Sequence, residues 1–264
     1  MKVFISADIE GTNGISNWDE QNKDAYFNKR MTLEVAAVCE GINDHKAGSI
    51  IFVKDAHGPG NNIDHELLPE NVLLNRAFSG HPLNMMNLLD DSFDASMVTG
   101  YHSPAYSDGN PLAHTMSLQY SKILLNGKPC SEFTIAYYTS LHFGVPMVLA
   151  AGDAMLMQLV KITDPDILTV ETMAGYGSSV TSVHPAKSRS LLKKTAKEAL
   201  GNVESLKAKC AAKLPDSFNV EISFRRHFDA FSASYFPGAK LIDAHTISFS
   251  SKDFMEILRL MLFV

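Results

Sequence analysis

The first ten residues constrain the fold of this chain more than any other stretch. An apolar run from Met1 to Ala7 ends abruptly at Asp8, Ile9 and Glu10. Because side chains alternate between the two faces of a strand, Asp8 and Glu10 are expected to point the same way, roughly 7 Å apart. Ionised carboxylates are rarely buried without a cation or hydrogen-bond donors. The pattern predicts a strand that ends in two acids, for which a metal ion would be a suitable partner.

Strand-like and helical patterns alternate along the chain that follows. Apolar runs predict four strands, at about 2–7, 49–54, 94–99 and 146–151. Helical spacing of apolar residues predicts a helix at about 25–46, another helix is expected at 131–142, and Asp153 is the expected N-cap of a further one. The Asn126–Gly127 pair predicts a short hairpin, because both central positions of such a turn need positive φ. The alternation predicts an α/β fold with a mostly parallel sheet flanked by helices.

The pattern changes after about residue 175. A Ser-, Gly- and Thr-rich loop is expected there, followed by a helix near 185–200, a strand at 218–224 and a final helix with one apolar face. We therefore expect a catalytic α/β region over 1–175, which carries the candidate metal ligands. Residues 176–264 are expected to form a smaller α+β lobe that makes oligomer contacts, the alternative being one continuous domain.

Charge, hydropathy and cysteine spacing disfavour several classes of partner and site. A formal net charge of −6 and a pI near 5.9 disfavour nucleic acid and anionic membranes as partners. The chain starts without the pattern of a secretory signal and contains no run of membrane-spanning length, so a cytoplasmic location is expected. Its three cysteines are far apart and show no CxxC spacing, which argues against a disulfide framework and against a thiolate zinc site.

Residues that commonly bind metals follow three of the predicted strands. Ligands of open parallel sheets bind at the carboxyl ends of the strands, so these positions are expected to converge. The strand ends and the start of the helix at 131–142 supply five candidate ligands: Asp8, Glu10, His57, His102 and Glu132. Imidazole and carboxylate without thiolate suit zinc, and manganese or iron also suit these ligand types. A single catalytic zinc needs three protein ligands, so five candidates favour two metal ions, with Asp8 as the natural bridge.

Each of these residues also has an ordinary structural interpretation. Asp8 and Glu10 could be a solvated strand end, and His57 and His102 could be turn residues. Glu132 would be favoured in the first turn of a helix without any metal. Their coincidence at successive strand ends favours the metal site. His114, on a predicted loop, is a candidate catalytic group that could hydrogen-bond a developing oxyanion or a leaving amine.

The order and spacing of these motifs resemble those of the D-aminopeptidase family of binuclear zinc peptidases. The resemblance lies in five places: Ser6–Gly11, Asp55–Gly58, Gly100–His102, Ala113–Met116 and Glu132. It implies an enzyme that releases N-terminal D-amino acids from short peptides. It also implies a ring-shaped homo-oligomer, a decamer of two pentamers, with active sites facing an inner chamber.

Carried over to this chain, the resemblance implies two Zn²⁺ per subunit and assigns Asp8 as the bridging ligand. It assigns Glu10, His57, His102 and Glu132 as the other ligands and His114 as a site residue. Thr115 follows His114, so a mechanism with a cysteine nucleophile at that place does not fit this sequence.

The function expected from the sequence is a metallo-aminopeptidase that works by metal-activated hydroxide attack on a peptide or amide bond. Two alternatives remain at this stage. One is a binuclear phosphoesterase, disfavoured because no Arg or Lys stands obviously beside the ligands. The other is a non-catalytic oligomeric binding protein that metal ions stabilise. The sequence contains no GxSxG, P-loop or GxGxxG motif. It therefore lacks the usual motifs of serine hydrolases, nucleotide triphosphatases and dinucleotide-dependent dehydrogenases.

Overall fold

A seven-stranded sheet forms the centre of the molecule. The computed structural model describes residues 1–18 and 25–264. The strands of the large sheet are β1 (Lys2–Ala7), β2 (Ile50–Asp55), β3 (Val72–Asn75), β4 (Ala95–Tyr101), β7 (Met147–Asp153), β8 (Leu168–Tyr176) and β9 (Ser179–Ser182). Their order is β3-β2-β1-β4-β7-β8-β9, and all neighbours are parallel except the pair β8 and β9. The predicted α/β fold with a mostly parallel sheet is confirmed.

Helices cover both faces of this sheet. They are α1 (Ala25–His45), α2 (Glu132–His142), α3 (Ala154–Thr163) and α4 (Pro185–Ala199). Successive residues of β1 face opposite sides, so Val3 and Ile5 pack in the core that includes residues of α1 and α4. Phe4 packs in the second core, with residues of α2 and α3. The run of alternating apolar residues in β1 is therefore buried on both sides, as expected for a central parallel strand.

A smaller antiparallel sheet lies beside the large one. Its strands are β5 (Tyr120–Leu125), β6 (Lys128–Pro129), β10 (Phe218–Phe224), β11 (Lys240–Leu241) and β12 (Thr246–Ser251), in the order β11-β12-β10-β5-β6. The remaining helices of the described chain are α5 (Val203–Lys207), α6 (His227–Ala233) and α7 (Phe254–Phe263), with short 3-10 turns at 65–67, 84–86, 200–202 and 211–213. Tyr138 of α2 packs against both the second core and the core of the small sheet. Within residues 1–18 and 25–264, no helix has the length and apolar character needed to cross a membrane.

The structure agrees with most of the predicted elements and corrects one of them. Asn126 and Gly127 have φ of 51° and 74° in the turn between β5 and β6, so the predicted hairpin is confirmed. The prediction of a Ser-, Gly- and Thr-rich loop after residue 175 is wrong, because β9 pairs there with β8 through a turn at Gly177. An edge strand needs a pairing partner on one side only, and β9 is partly exposed along its length, so its sequence lacks the apolar pattern of a buried strand.

The division of the chain at residue 175 stays a prediction. The small sheet takes β5 and β6 from before that residue, and the large sheet takes β9 from after it. The helix α4, which also follows residue 175, packs along α1 on the large sheet.

Candidate metal centre

Three neighbouring strands bring the candidate ligands to one edge of the large sheet. Asp8 directly follows β1, His57 lies two residues after β2, and His102 directly follows β4. Ala7 is in register with Asp55 on one side and with Thr99 on the other. Because parallel strands end at the same edge, the segments that follow them are forced together.

Close backbone contacts fix the turn after β1. The N–H of Asp8 donates to Thr99 O (2.9 Å), and the N–H of Gly11 donates to Gly100 O (2.8 Å). Gly100 has φ of +71°, and a Cβ there would lie 2.0 Å from Asp8 O. Only glycine fits at this crossing, so the backbone that carries Asp8 and Glu10 sits directly against the end of β4.

Asp8 lies between two groups of candidate ligands. On one side, His57 Nδ1 is 3.4 Å from Asp8 Oδ1 and 3.0 Å from Glu10 Oε2. On the other side, His102 Nε2 is 3.5 Å from Asp8 Oδ2 and 3.3 Å from Glu132 Oε2. The ligand atoms of each group lie within 4.8 Å of one another. The two groups share Asp8, which therefore has the position of a bridging carboxylate.

Glu132 reaches the site from the first turn of α2. Ser131 caps this helix, since its Oγ accepts from the N–H of Thr134 in a capping box. The N–H of Met116 donates to Glu132 Oε1 (2.7 Å), which orients the carboxylate.

His114 joins the same cluster from a loop. Its Nε2 is 3.6 Å from Glu132 Oε1, and its ring stacks on that of His102 with a centroid distance of 4.3 Å. Its Nδ1–H donates to Leu112 O (2.9 Å). Together with Glu10 and His102, His114 forms a third candidate group of metal ligands, whose ligand atoms lie within 4.8 Å of one another.

Burial and mutual charge dominate the electrostatics of the cluster. Burial raises the pKa of Asp8 well above its ordinary value, and the charge of Glu10 raises it further. Burial alone would also raise the pKa of Glu132, but the charge and hydrogen bond of His102 outweigh it and lower this pKa to about 2. Burial opposes the charged form of His57, but its hydrogen bonds to Asp8 and Glu10 raise its pKa to about 10. A positive charge at this place would favour the ionised form of Asp8, the one acid of the cluster whose pKa is raised.

Two buried atoms test whether a metal ion fits here. Asp8 Oδ2 and His102 Nε2 are buried and have no hydrogen-bond partner among the described residues. His102 Nδ1–H donates to Ser103 O (2.9 Å), so in the neutral ring Nε2 carries the lone pair that faces Asp8 and Glu132. Buried polar atoms are rarely left unsatisfied in native proteins, and a divalent cation would satisfy both of these. The donor set of carboxylates and imidazoles fits zinc.

A cleft of about 370 Å³ opens onto the cluster. Asp8, Glu10, His57, His114 and Glu132 line one part of it. Apolar side chains line the rest, among them Trp18, Phe78, Met85, Met116 and Leu118. The polar part is thus accessible from outside, and the apolar part could receive a side chain of a bound molecule.

Sequence reasoning missed some residues of the site. Trp18 packs edge-on against His114 with a centroid distance of 5.3 Å, although nothing in its local sequence links it to the strand ends.

Asp55 also stands at a strand end, but its side chain does not join the cluster. Its Oδ2 accepts from the N–H groups of Asn62 and Ile63. Asp55 therefore shapes the loop that carries His57.

An open parallel sheet with acids and imidazoles gathered at its carboxyl edge has the form of a metal-dependent hydrolase. The family model for D-aminopeptidases, peptidase family M55, matches residues 1–263, and the chain belongs to that family. The chain is thus an enzyme, a peptidase of the hydrolase class, as the sequence predicts.

Two comparisons extend over nearly the whole chain. A D-aminopeptidase of Bacillus subtilis (strain 168) is 27% identical over 268 residues, and the match covers 99% of this chain and 96% of the Bacillus protein. A solved structure, the Zn-dependent D-aminopeptidase DppA from Bacillus subtilis, described as a self-compartmentalizing protease, has a TM-score of 0.89 at 26% identity. That match covers 99% of this chain and 96% of the solved one.

Proposed function

We propose that this protein is a zinc-dependent aminopeptidase that releases N-terminal D-amino acids from short peptides or amides, with two Zn²⁺ per subunit. The observation that carries the proposal is the convergence of five candidate ligands into two groups that share Asp8. The zinc dependence of the related DppA supports the choice of metal, and Mn²⁺ or Fe²⁺ would suit the same ligand types.

In this proposal Asp8, Glu10 and His57 hold one ion, and Asp8, His102 and Glu132 hold the other. When bound, such ions lower the pKa of a coordinated water toward about 7 and polarise a carbonyl oxygen, which supplies a hydroxide nucleophile. The N–H of Met116 keeps Glu132 oriented, and Ser103 O keeps the ring of His102 oriented. These contacts keep the ligands in place before a metal arrives.

His114 is the proposed catalytic residue. Its Nδ1–H is engaged by Leu112 O, so Nε2 is the ring atom left to exchange a proton with the substrate. Protonated at Nε2, it can donate a hydrogen bond to the developing oxyanion or deliver the proton to the leaving amine. The edge of Trp18 and the face of His102 hold the ring on two sides.

The cleft supports a small peptide as substrate. Its volume lies within the range of sites that bind small molecules, and its apolar part suits a substrate side chain beside the reacting bond. The stereochemical preference is proposed from family membership and from the activity named for the related proteins.

The two alternative functions are less well supported. A phosphoesterase would use cationic side chains to clamp the transferred group, and the described residues that line the cleft include no Lys or Arg. A purely structural metal site would have a closed ligand shell, whereas four of the five candidate ligands line an open cleft.

We also propose that the protein is cytoplasmic and assembles into a ring-like homo-oligomer, a decamer of two pentamers. The related DppA is described as self-compartmentalizing. Several large apolar side chains of this chain are exposed, including Tyr106, Ile162, Tyr176, Tyr235 and Phe263. Burial of such residues between copies of the chain would favour association.

Hydrolysis of matched D- and L-alanyl p-nitroanilides by the purified protein tests the proposed function. We expect the D-substrate to be cleaved preferentially, the activity to be lost when a chelator removes the metal, and zinc to restore it. Asp8→Ala should lose both zinc and activity, whereas Asp91→Ala, at an exposed acid, should keep both. Preference for the L-substrate would overturn the stereochemical assignment. Two bound zinc ions without cleavage of either substrate would favour the non-catalytic alternative.

A further inference from the structure

Asp153 has more hydrogen bonds than its place at the start of a helix requires. It is the last residue of β7, its side chain is fully buried, and its Oδ1 accepts from the N–H of Leu156 (2.9 Å). This contact is the predicted N-cap of α3, which the structure confirms. Capping a helix needs only such a bond to a backbone N–H, and an exposed side chain can supply it.

The other bonds of Asp153 go to the segment that follows β4. Its Oδ2 accepts from the N–H of Ser103 (2.6 Å), and its Oδ1 accepts from Ser103 Oγ (2.5 Å). Ser103 is thereby held at both its backbone and its side chain. Its carbonyl oxygen then accepts from His102 Nδ1–H (2.9 Å). A carbonyl oxygen can only accept, so this chain of contacts fixes the ring and leaves Nε2 directed at Asp8 and Glu132.

A second set of contacts runs from Asp153 through Asn110. The amide Nδ2 of Asn110 donates to Asp153 Oδ2 (3.3 Å) and to Glu10 O (3.1 Å). Asn110 Oδ1 accepts from the N–H of Leu112 (2.9 Å), and Leu112 O in turn accepts from His114 Nδ1–H (2.9 Å). The same carboxylate is thus connected to the backbone of a proposed ligand and to the loop of the proposed catalytic residue.

We propose that Asp153 is a positioning residue of the metal centre. Through Ser103, Asp153 sets the orientation of His102. Through Asn110, it fixes the positions of Glu10 and of the loop that carries His114. The proposal rests on the proposed function, because it assumes that these side chains hold metal ions. Outer groups that orient metal ligands typically contribute 10- to 100-fold to metal affinity or activity.

Asp153→Asn is the variant that separates this role from helix capping. Asparagine caps helices about as well as aspartate, and its single amide oxygen can still accept from Leu156. Its NH₂ group takes the place of Oδ2 and cannot accept from the N–H of Ser103 or from Asn110 Nδ2, so the backbone of Ser103 and the Asn110 side chain lose their acceptor while the cap remains. We expect zinc affinity, measured on the full-length protein by competition with a chromophoric chelator, to fall roughly 10- to 100-fold. The kcat on the D-alanyl substrate should fall with it.

Asp253→Asn supplies the matched control. Asp253 is the N-cap of α7, where its Oδ1 accepts from the N–H of Met255 (2.9 Å), and its side chain is exposed and lies outside the cluster. This variant should leave zinc affinity and kcat at the wild-type values. Ser103→Ala supplies a second test, since it removes the Oγ contact without changing the Asp153 carboxylate, and it should weaken zinc binding in the same direction.

The outcomes are distinguishable. If wild-type protein binds two zinc ions and Asp153→Asn binds them equally well with unchanged kcat, Asp153 is a helix cap only and the inference is overturned. If Asp153→Asn does not fold, Ser103→Ala decides, and wild-type zinc affinity in that variant would overturn the inference. If the wild-type protein itself binds no zinc, the proposed function fails together with this inference.

Discussion

Several side chains of the candidate metal centre are fixed by burial and by hydrogen bonds. Asp8 is 2% exposed and approaches two imidazoles, and His102 is fully buried with Nδ1 already bonded. That these two side chains lie close together can be predicted from the sequence, because it depends only on where the apolar runs of parallel strands end. Trp18 and Asn110 could not be predicted in this way, since their contacts depend on how loops fold over the sheet edge.

His114 is expected to act on protons rather than to hold zinc. Replacing it by alanine should lower kcat by about 10²- to 10⁴-fold, the contribution typical of a general acid or base, with zinc content unchanged. Steady-state kinetics and metal analysis on the same preparations measure both quantities. His45→Ala, at an exposed position at the end of α1, should match the wild type. Loss of zinc in His114→Ala would instead identify His114 as a metal ligand.

Strands and helices bring these side chains together through close packing at the ends of the strands. The predicted positions of β1, β2, β4 and β7 agree with the structure within two residues, because each strand is an apolar run buried on both faces. Strands β3, β8 and β9 of the large sheet were not predicted. β3 and β9 lie at its edges, and exposed positions interrupt the apolar pattern in each of the three strands.

Gly152 is expected to be required for the contact between β7 and β4. A Cβ at this position would lie 1.8 Å from Tyr101 O, directly before His102. Gly152→Ala should therefore lower the free energy of unfolding by about 1–3 kcal/mol or more, as overpacking does, and should weaken zinc binding. Urea denaturation and chelator competition measure the two effects.

Gly201→Ala is the matched control for this substitution. A Cβ at Gly201 meets no atom within 4 Å, so its effect on the free energy of unfolding should stay within about 0.5 kcal/mol or be slightly stabilising. Equal stability and zinc affinity of the two variants would contradict the proposed role of Gly152.

Glu34 is expected to make the packing of α1 against α4 dependent on pH. Its Oε1 accepts from Ser188 Oγ (2.8 Å), and burial raises its pKa from 4.5 to about 7 despite the nearby charges of Arg30 and Arg189 and a hydrogen bond from the backbone of Asn13. The folded state therefore binds this proton more tightly than the unfolded state. The stabilisation is complete below pH 4.5 and is lost as the pH rises through 7.

Glu34→Gln should remove this dependence. Between pH 4.5 and 8 the wild type should lose up to about 3 kcal/mol of unfolding free energy relative to the variant. Urea denaturation of both proteins at a series of pH values, at equal metal content, measures the difference. Parallel stability curves for the two proteins would refute the prediction.

The overall fold depends on pairings between strands that are far apart in the sequence. Strand β5 pairs with β10, about a hundred residues further along the chain, and no local pattern links them. The fold class could be predicted because α/β alternation is local, whereas the composition of the small sheet could not. The sequence also does not show which apolar side chains are exposed, such as Tyr106 at 83% exposure, because exposure depends on the folded surface.

A decamer should have a mass of about 290 kDa, ten times the 29.0 kDa of the chain. Light scattering coupled to size-exclusion chromatography measures this mass directly, and it should persist on dilution because burial of apolar surface favours association. A single species of 29.0 kDa at the concentrations used for activity would contradict the proposed assembly.

The central claim is that Asp8 joins two metal positions at the edge of the sheet. An anomalous difference map at the zinc edge, from crystals grown with zinc, tests it most directly. The account predicts two peaks per chain on either side of the Asp8 carboxylate, one beside His57 and Glu10 and the other beside His102 and Glu132. A single peak, or peaks bound by other residues, would contradict it.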